Sequence, residues 1–347
     1  MNASRRNLIT DVPGLSVGNA HDEELASGVT VILPDLNAVA AASILGGGPG
    51  SREVDAIGLE GMVGAANAIV LSGGSALGLD AATGAQSFLR EKGRGYAVGS
   101  TRVPIVPQAI LFDLLNGGNK NWGRHPPYRD MAYEAASAAA ESFALGSAGA
   151  GFGATVASAR GGRMRGGLGS ASEWVSLTGT AAGAGVSVGA IAAVNAVGSV
   201  TIADTPYFWA AAFERDAEFG GLGYPQPWPA GASRPVVKFA PALRGNTTLC
   251  VVATDAALTH QQCKRLAIMA AAGMARAIVP VFTPYDGDIV FVLSTGRVPL
   301  TEATAALPAI GAAAANCVTR AIARGVYEAS GRLPDGTPSY RDLFAGG

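Results

Sequence analysis

Asn246-Thr247-Thr248 stands where a Pro-, Gly- and aromatic-rich stretch, Glu214 to Gly245, meets an apolar, β-branched run. A threonine hydroxyl in that setting could attack the carbonyl of Asn246, form an ester, and leave Thr247 with a free α-amine once water releases the ester. Such an amine has a reference pKa near 7.7–8.0, so roughly a tenth to a fifth of it is neutral at pH 7 and can serve as base for the hydroxyl of its own residue. The same residues also read as a turn entering a strand, which needs no chemistry. Asp286-Gly287-Asp288 precedes the run Ile289 to Val292 and offers two carboxylates across one glycine. Such a pair suits the orientation of an amine and the sharing of a proton, although an ordinary Asp-Gly turn looks alike. Asn195 ends a long apolar run, where a buried amide needs partners and could donate to an oxyanion, or could close a turn. Arg165 lies in a glycine-rich loop and could steady negative charge; a solvated surface Arg is the alternative.

Other chemistries find little support. His21, His125 and His260 are far apart, with no HExxH and no Cys/His pairing, so no metal site is expected and a Ser-His-Asp arrangement has no distinctive histidine. Gly149 to Ala154 fits GxGxxA formally but follows a helix pattern rather than a strand, Gly73-Gly74-Ser75-Ala76-Leu77 lacks the second glycine of GxSxG, and no P-loop is present. No cofactor is implied.

The elements that must position these residues are legible in outline. Val29 to Pro34, Ala40 to Leu45, Ala68 to Leu71, Val186 to Val194, Thr248 to Ala253 and Asp288 to Leu293 read as strands. Val103 to Leu114 reads as an edge or kinked strand because of Pro104 and Pro107. Ala76 to Lys92, Asp130 to Leu145 (capped by Asp130), Leu258 to Ile278 and Leu300 to Ala323 read as helices. The strand runs are apolar on both faces, which predicts sheets covered on both sides, and the grouping of elements fits a layered α/β sandwich. Glu214 to Gly245 shows neither period, and a loop of that length calls for a functional explanation.

Composition bounds the rest. The 347 residues are 49% hydrophobic and 15% charged, with 48 glycines and a net charge of −1. Nucleic-acid and anionic-membrane partners are disfavoured, and the apolar excess predicts a homo-oligomer. The odd, sparse set Cys250, Cys263 and Cys317 implies no disulfide framework. Met1 to Gly14 lacks the apolar centre of a signal peptide, so a cytoplasmic protein without membrane spans is expected.

Taken in order, Gly14 to Gly18, Gly47 to Glu53, Leu71 to Leu79, Gly149 to Gly151, Arg165 to Gly169, Val194 to Ala196, Asn246 to Thr248 and Asp286 to Asp288 resemble the L-aminopeptidase/D-esterase family over nearly the whole chain. That family includes β-aminopeptidases and nylon-oligomer hydrolases. The resemblance implies a single domain, 1–347, folded as a four-layer αββα sandwich of the self-processing aminopeptidase and ornithine acetyltransferase type. It implies autocleavage into 1–246 and 247–347 and a metal-free homo-oligomer, with a tetramer favoured. It further implies amide or ester hydrolysis of short peptides, amino-acid amides or amino-acid-like oligomers by Thr247. Carried over, Asp286 and Asp288 would position and polarise the Thr247 amine, and Asn195 would donate to the oxyanion. Two positions depart from the family pattern: Arg165 stands where Lys is usual, and Leu77 where an aromatic is frequent. Arg cannot relay a proton as Lys can, and Leu77 would change a pocket wall, so both are read as substrate-contact positions. An acyltransferase of the ornithine acetyltransferase type and a non-catalytic oligomeric binding protein are the rival readings.

Overall fold

The computed structural model describes residues 5–177, 185–238 and 246–344. Along the chain, β1 (Leu15–Asp22), β2 (Ser27–Pro34), β3 (Ala38–Ile44), the short β4 (Ser51–Arg52) and β5 (Ala65–Ala66), and β6 (Ile69–Ser72) precede α1 (Ala81–Glu91). A hairpin of β7 (Tyr96–Val98) and β8 (Thr101–Val103) and then β9 (Gln108–Ile110) lead to α2 (Tyr128–Ser137). The second half runs through β10 (Thr155–Ser158), β11 (Gly162–Arg165), β12 (Gly167–Ser176) and β13 (Gly185–Asn195) to β14 (Thr247–Ala256). It ends with α3 (His260–Ala277), β15 (Ile289–Val298), α4 (Ala303–Glu328) and α5 (Tyr340–Phe344).

Strands in the order β1-β2-β6-β9-β4 form one sheet, and β12-β13-β14-β15-β3-β5 form the other. Strand alternation explains why their sequences are apolar throughout. On β2, Val29, Val31 and Leu33 pack with Leu89 and Tyr128 of α1 and α2, while Ile32 faces the opposite sheet. On β14, Leu249, Val251 and Ala253 meet that inner layer, whereas Cys250 and Val252 pack against Leu266 of α3 and Val318 of α4. The result is four layers, αββα.

Three elements differ from the sequence reading. Ser75–Asp80 is a 3-10 helix, so α1 begins only at Ala81. Val103 to Leu114 is broken, with Pro104 to Pro107 separating β8 from β9. The helix expected over Asp130 to Leu145 stops at Ser137, and Asp130 sits inside its first turn rather than capping it. Ala140 leaves the helix to exchange backbone hydrogen bonds of 2.9 and 3.1 Å with Val17 of β1, so tertiary pairing outweighs the helix preference of the alanines. Of the excursion Glu214 to Gly245, residues 239–245 lie outside the described residues; the remainder carries turns and one β-bridge, Gly198 to Val237.

Candidate active site

Sheet register brings the site together. Thr247 opens β14 and is paired across the ladder with Asn195, the last residue of β13. β14 and β15 run parallel from Leu249 and Ile289, and Asn246 bridges Asp286, so the Asp286-Gly287-Asp288 turn lies alongside Asn246 to Thr248. Asn195, Asn246, Thr247, Asp286 and Asp288 are each between 1% and 4% exposed. Uncompensated, that burial would be costly, so the hydrogen bonds decide what the site is.

The carbonyl oxygen of Asn246 receives two of them. The Gly287 backbone N–H donates to it at 2.7 Å and the Thr247 hydroxyl at 2.6 Å. The hydroxyl therefore lies against the carbonyl it would attack, and a fixed backbone donor already points at the oxygen that would turn negative. Asp288 accepts from the N–H groups of Thr248 (2.7 Å) and Phe282 (3.1 Å). Asp286 accepts from Val197 N at 3.1 Å, and from Thr283 N (3.1 Å) and Thr283 Oγ1 (2.6 Å). The two carboxylates thus fix the strand ends on both sides of Thr247. The Asn195 amide oxygen accepts from Thr155 N at 2.9 Å, and its nitrogen donates to Phe112 O at 3.0 Å, leaving one N–H of the amide for another acceptor.

Burial, reinforced by the negative charge of Asp286, pushes the Asp288 carboxyl up to about 7. An acid with a raised pKa takes its proton earlier as pH falls, so Asp288 loses its charge on descending through about 7 instead of through the ordinary carboxylate range. Were Thr247 to attack the Asn246 carbonyl with the Asp288 carboxylate as its proton acceptor, that chain splitting should slow below roughly pH 7. Asp288→Asn should flatten that limb in a time course of splitting against pH; an unchanged limb in the variant would remove Asp288 from the proton balance.

A narrow cleft opens onto Asn246 and is lined also by Phe112, Asp113, Thr155, Arg163 and Lys238. Neither Lys238 nor Asp113 stood out in the sequence. Lys238 Nζ donates to Thr155 O at 2.8 Å, and burial lowers its pKa to about 7 despite the opposing charge of Asp286. Asp113 accepts from Ser27 Oγ (2.6 Å) and Gly74 N (2.8 Å), and burial holds its carboxyl above the usual range. Arg163 is ion-paired with Asp335. Among the described residues, no group of three or more His, Cys, Asp or Glu side chains is placed to hold a metal ion.

The chain matches the family described as peptidase family S58 over residues 7–333. It is 40% identical over 361 aligned residues to an uncharacterized aminopeptidase of Mycobacterium tuberculosis, with 98% of each chain covered. The chain belongs to peptidase family S58. This S58 peptidase is also 29% identical to a 6-aminohexanoate-oligomer endohydrolase of Kocuria sp., covering 85% of the chain and 77% of that relative. Its fold is that of the L-aminopeptidase D-Ala-esterase/amidase of Ochrobactrum anthropi, an Ntn-hydrolase variant, with TM-score 0.68 and 22% identity over 97% and 92% of the two chains. A Burkholderia sp. beta-aminopeptidase is similarly close, with TM-score 0.66 and 23% identity over 98% and 92%. The S58 chain is accordingly a hydrolase of amide bonds.

Arg165 and Leu77, which the sequence assigned to substrate contact, are absent from the lining of this cleft, as are Thr247 and Asn195. Arg165 is 4% exposed and donates to Phe152 O (2.6 Å) and Ser330 O (2.7 Å), with its guanidinium 5.2 Å from the Phe152 ring centre. It ties the 3-10 turn Gly149–Gly151 to the segment after α4 and does not line the cleft. The cleft's cations are Lys238 and Arg163. Leu77 is 49% exposed on the 3-10 helix Ser75–Asp80, outside the cleft lining.

Proposed function

We propose that this peptidase cleaves its own Asn246–Thr247 bond and then uses Thr247 as an N-terminal nucleophile on amides and esters of short, amine-bearing substrates. One observation carries the reading: the Thr247 hydroxyl and the Gly287 N–H converge on the Asn246 carbonyl oxygen inside a buried strand junction. In the first reaction Thr247 Oγ adds to the Asn246 carbonyl carbon, the C–N bond to Thr247 breaks, and the hydroxyl proton ends on the departing nitrogen. Asn246 is then held as an ester, and the Thr247 nitrogen becomes an amine. Water hydrolyses the ester, leaving Asn246 with a carboxylate and Thr247 with a free hydroxyl. In turnover the neutral amine takes the hydroxyl proton as Oγ attacks the substrate carbonyl, the leaving amine departs protonated, and water releases the acyl group. The second N–H of Asn195 Nδ2 supplies a donor for the substrate oxyanion, while Asp286 and Asp288 hold the strand ends that aim Thr247.

Asn195→Ala should lower kcat on the split enzyme by about 10²–10³-fold, the range for loss of one oxyanion donor. A change confined to KM would move Asn195 from transition-state stabilisation to substrate binding. The function itself is tested by acid-quenching turnover of an amino-acid ester and mapping the acyl group by mass spectrometry. The acyl group is expected on Thr247; acylation of another residue would overturn the assignment.

We also read the protein as a homo-oligomer. The low charge content supports this, as do large apolar side chains left exposed, among them Met62 (97%) and Leu36 (73%).

A further inference from the structure

Lys238 has no part in the chemistry above, yet its placement is hard to explain as a surface lysine. Residues 237–238 are held against the end of β13 by the Gly198–Val237 bridge and by Lys238 N donating to Val197 O at 2.9 Å. From there the side chain enters the cleft. Its Nζ donates to Thr155 O at 2.8 Å, to Thr155 Oγ1 at 3.1 Å, and faces Asn195 Oδ1 at 3.5 Å. Thr155 N in turn donates to Asn195 Oδ1 at 2.9 Å. The amide oxygen is therefore surrounded by donors, and the amide nitrogen is left on the side of the Phe112 carbonyl. Turning the amide over would set its N–H groups against the Thr155 N–H and the lysine, and its oxygen against the Phe112 oxygen. Both contacts are repulsive around an amide that is itself buried.

We propose that Lys238 is a positioning residue for this reaction: it braces Thr155 and, through it, locks the Asn195 amide with Nδ2 turned toward the acyl oxygen at Thr247. The inference rests on the oxyanion role read for Asn195 above. Lys238 does this from the segment that precedes the proposed cleavage point.

The test is a double-mutant cycle on the split enzyme, with an amino-acid p-nitroanilide as probe and rates normalised to the amount of 247–347 chain. Lys238→Met should lower kcat roughly 10- to 100-fold, as for residues that act by orienting a neighbour, while KM stays within about twofold. Lys238→Arg, which keeps a cationic donor, should recover part of the loss. On an Asn195→Ala background the same Lys238→Met change should cost less than about threefold, because the group it orients is gone. Should Lys238→Met fail to fold, Lys238→Gln takes its place in the cycle. Undiminished kcat in the lysine variant beside a crippled Asn195→Ala would overturn the assignment of Lys238 alone. The full lysine loss persisting without Asn195 would overturn it too. An Asn195→Ala enzyme as fast as wild type would instead bring down the reading on which it rests.

Discussion

Thr247→Ala will remain one polypeptide of 347 residues and will lose turnover by about 10⁴-fold or more. The expectation follows from what alanine removes. In the precursor it deletes the hydroxyl lying 2.6 Å from the Asn246 oxygen, so no ester forms and no amine is released. Without the amine there is neither nucleophile nor base for a second substrate, and the two losses coincide because one residue serves both steps. Folding should survive, because β14 keeps its ladder to Asn195 and its parallel pairing with β15. Thr247→Ser restores a hydroxyl and should restore splitting more slowly, because serine lacks the methyl group that restricts the threonine rotamer. Denaturing gels and kcat measurements on the two variants check both halves. Residual splitting in Thr247→Ala would mean that another group attacks Asn246.

Gly287→Ala carries the second large effect, and its cause is spatial. A Cβ on residue 287 would stand 2.5 Å from Thr247 Oγ1, 2.8 Å from Gly48 O and 3.2 Å from Pro49 Cα. The closest of these atoms is the nucleophile itself. Relieving the clash means turning the hydroxyl away from the Asn246 carbonyl or pushing back the turn whose N–H holds that carbonyl. Misplacing a reacting atom by about 1 Å can cost roughly 10²-fold, so splitting should slow by about that factor or more. Gly287 does not adopt the left-handed backbone that only glycine favours, so the loss would not come from backbone strain. Far-ultraviolet dichroism should be unchanged while the uncut chain accumulates. Normal splitting in Gly287→Ala would show that Thr247 reaches the carbonyl from a different direction.

Much of this arrangement was open to inspection in the chain itself. The apolar runs at 249–253 and 289–293 are strands because each face meets its own layer, and alternation on β14 between the inner core and the helices leaves no polar position within them. The four polar stations Asn195, Thr247, Asp286 and Asp288 sit at the ends of such runs, and sheet register alone was enough to gather them. What escaped was whatever depends on partners distant along the chain. Lys238 finds Thr155 and Asn195 at 83 and 43 residues' separation, and Asp113 finds Ser27 at 86; no local pattern encodes such meetings. The anchoring of Arg165 has the same origin, since its partner Ser330 lies 165 residues downstream. Gly287 was read as a spacer between two carboxylates, whereas its N–H and its missing side chain both shape the reaction site. Its surroundings, not its neighbours in sequence, give it that part.

Intact-mass measurement of the purified protein, coupled to N-terminal sequencing, reaches the centre of the account. Two polypeptides are expected, 1–246 and 247–347, the second beginning at Thr247. A single polypeptide of full mass that nevertheless hydrolyses amide substrates would contradict it.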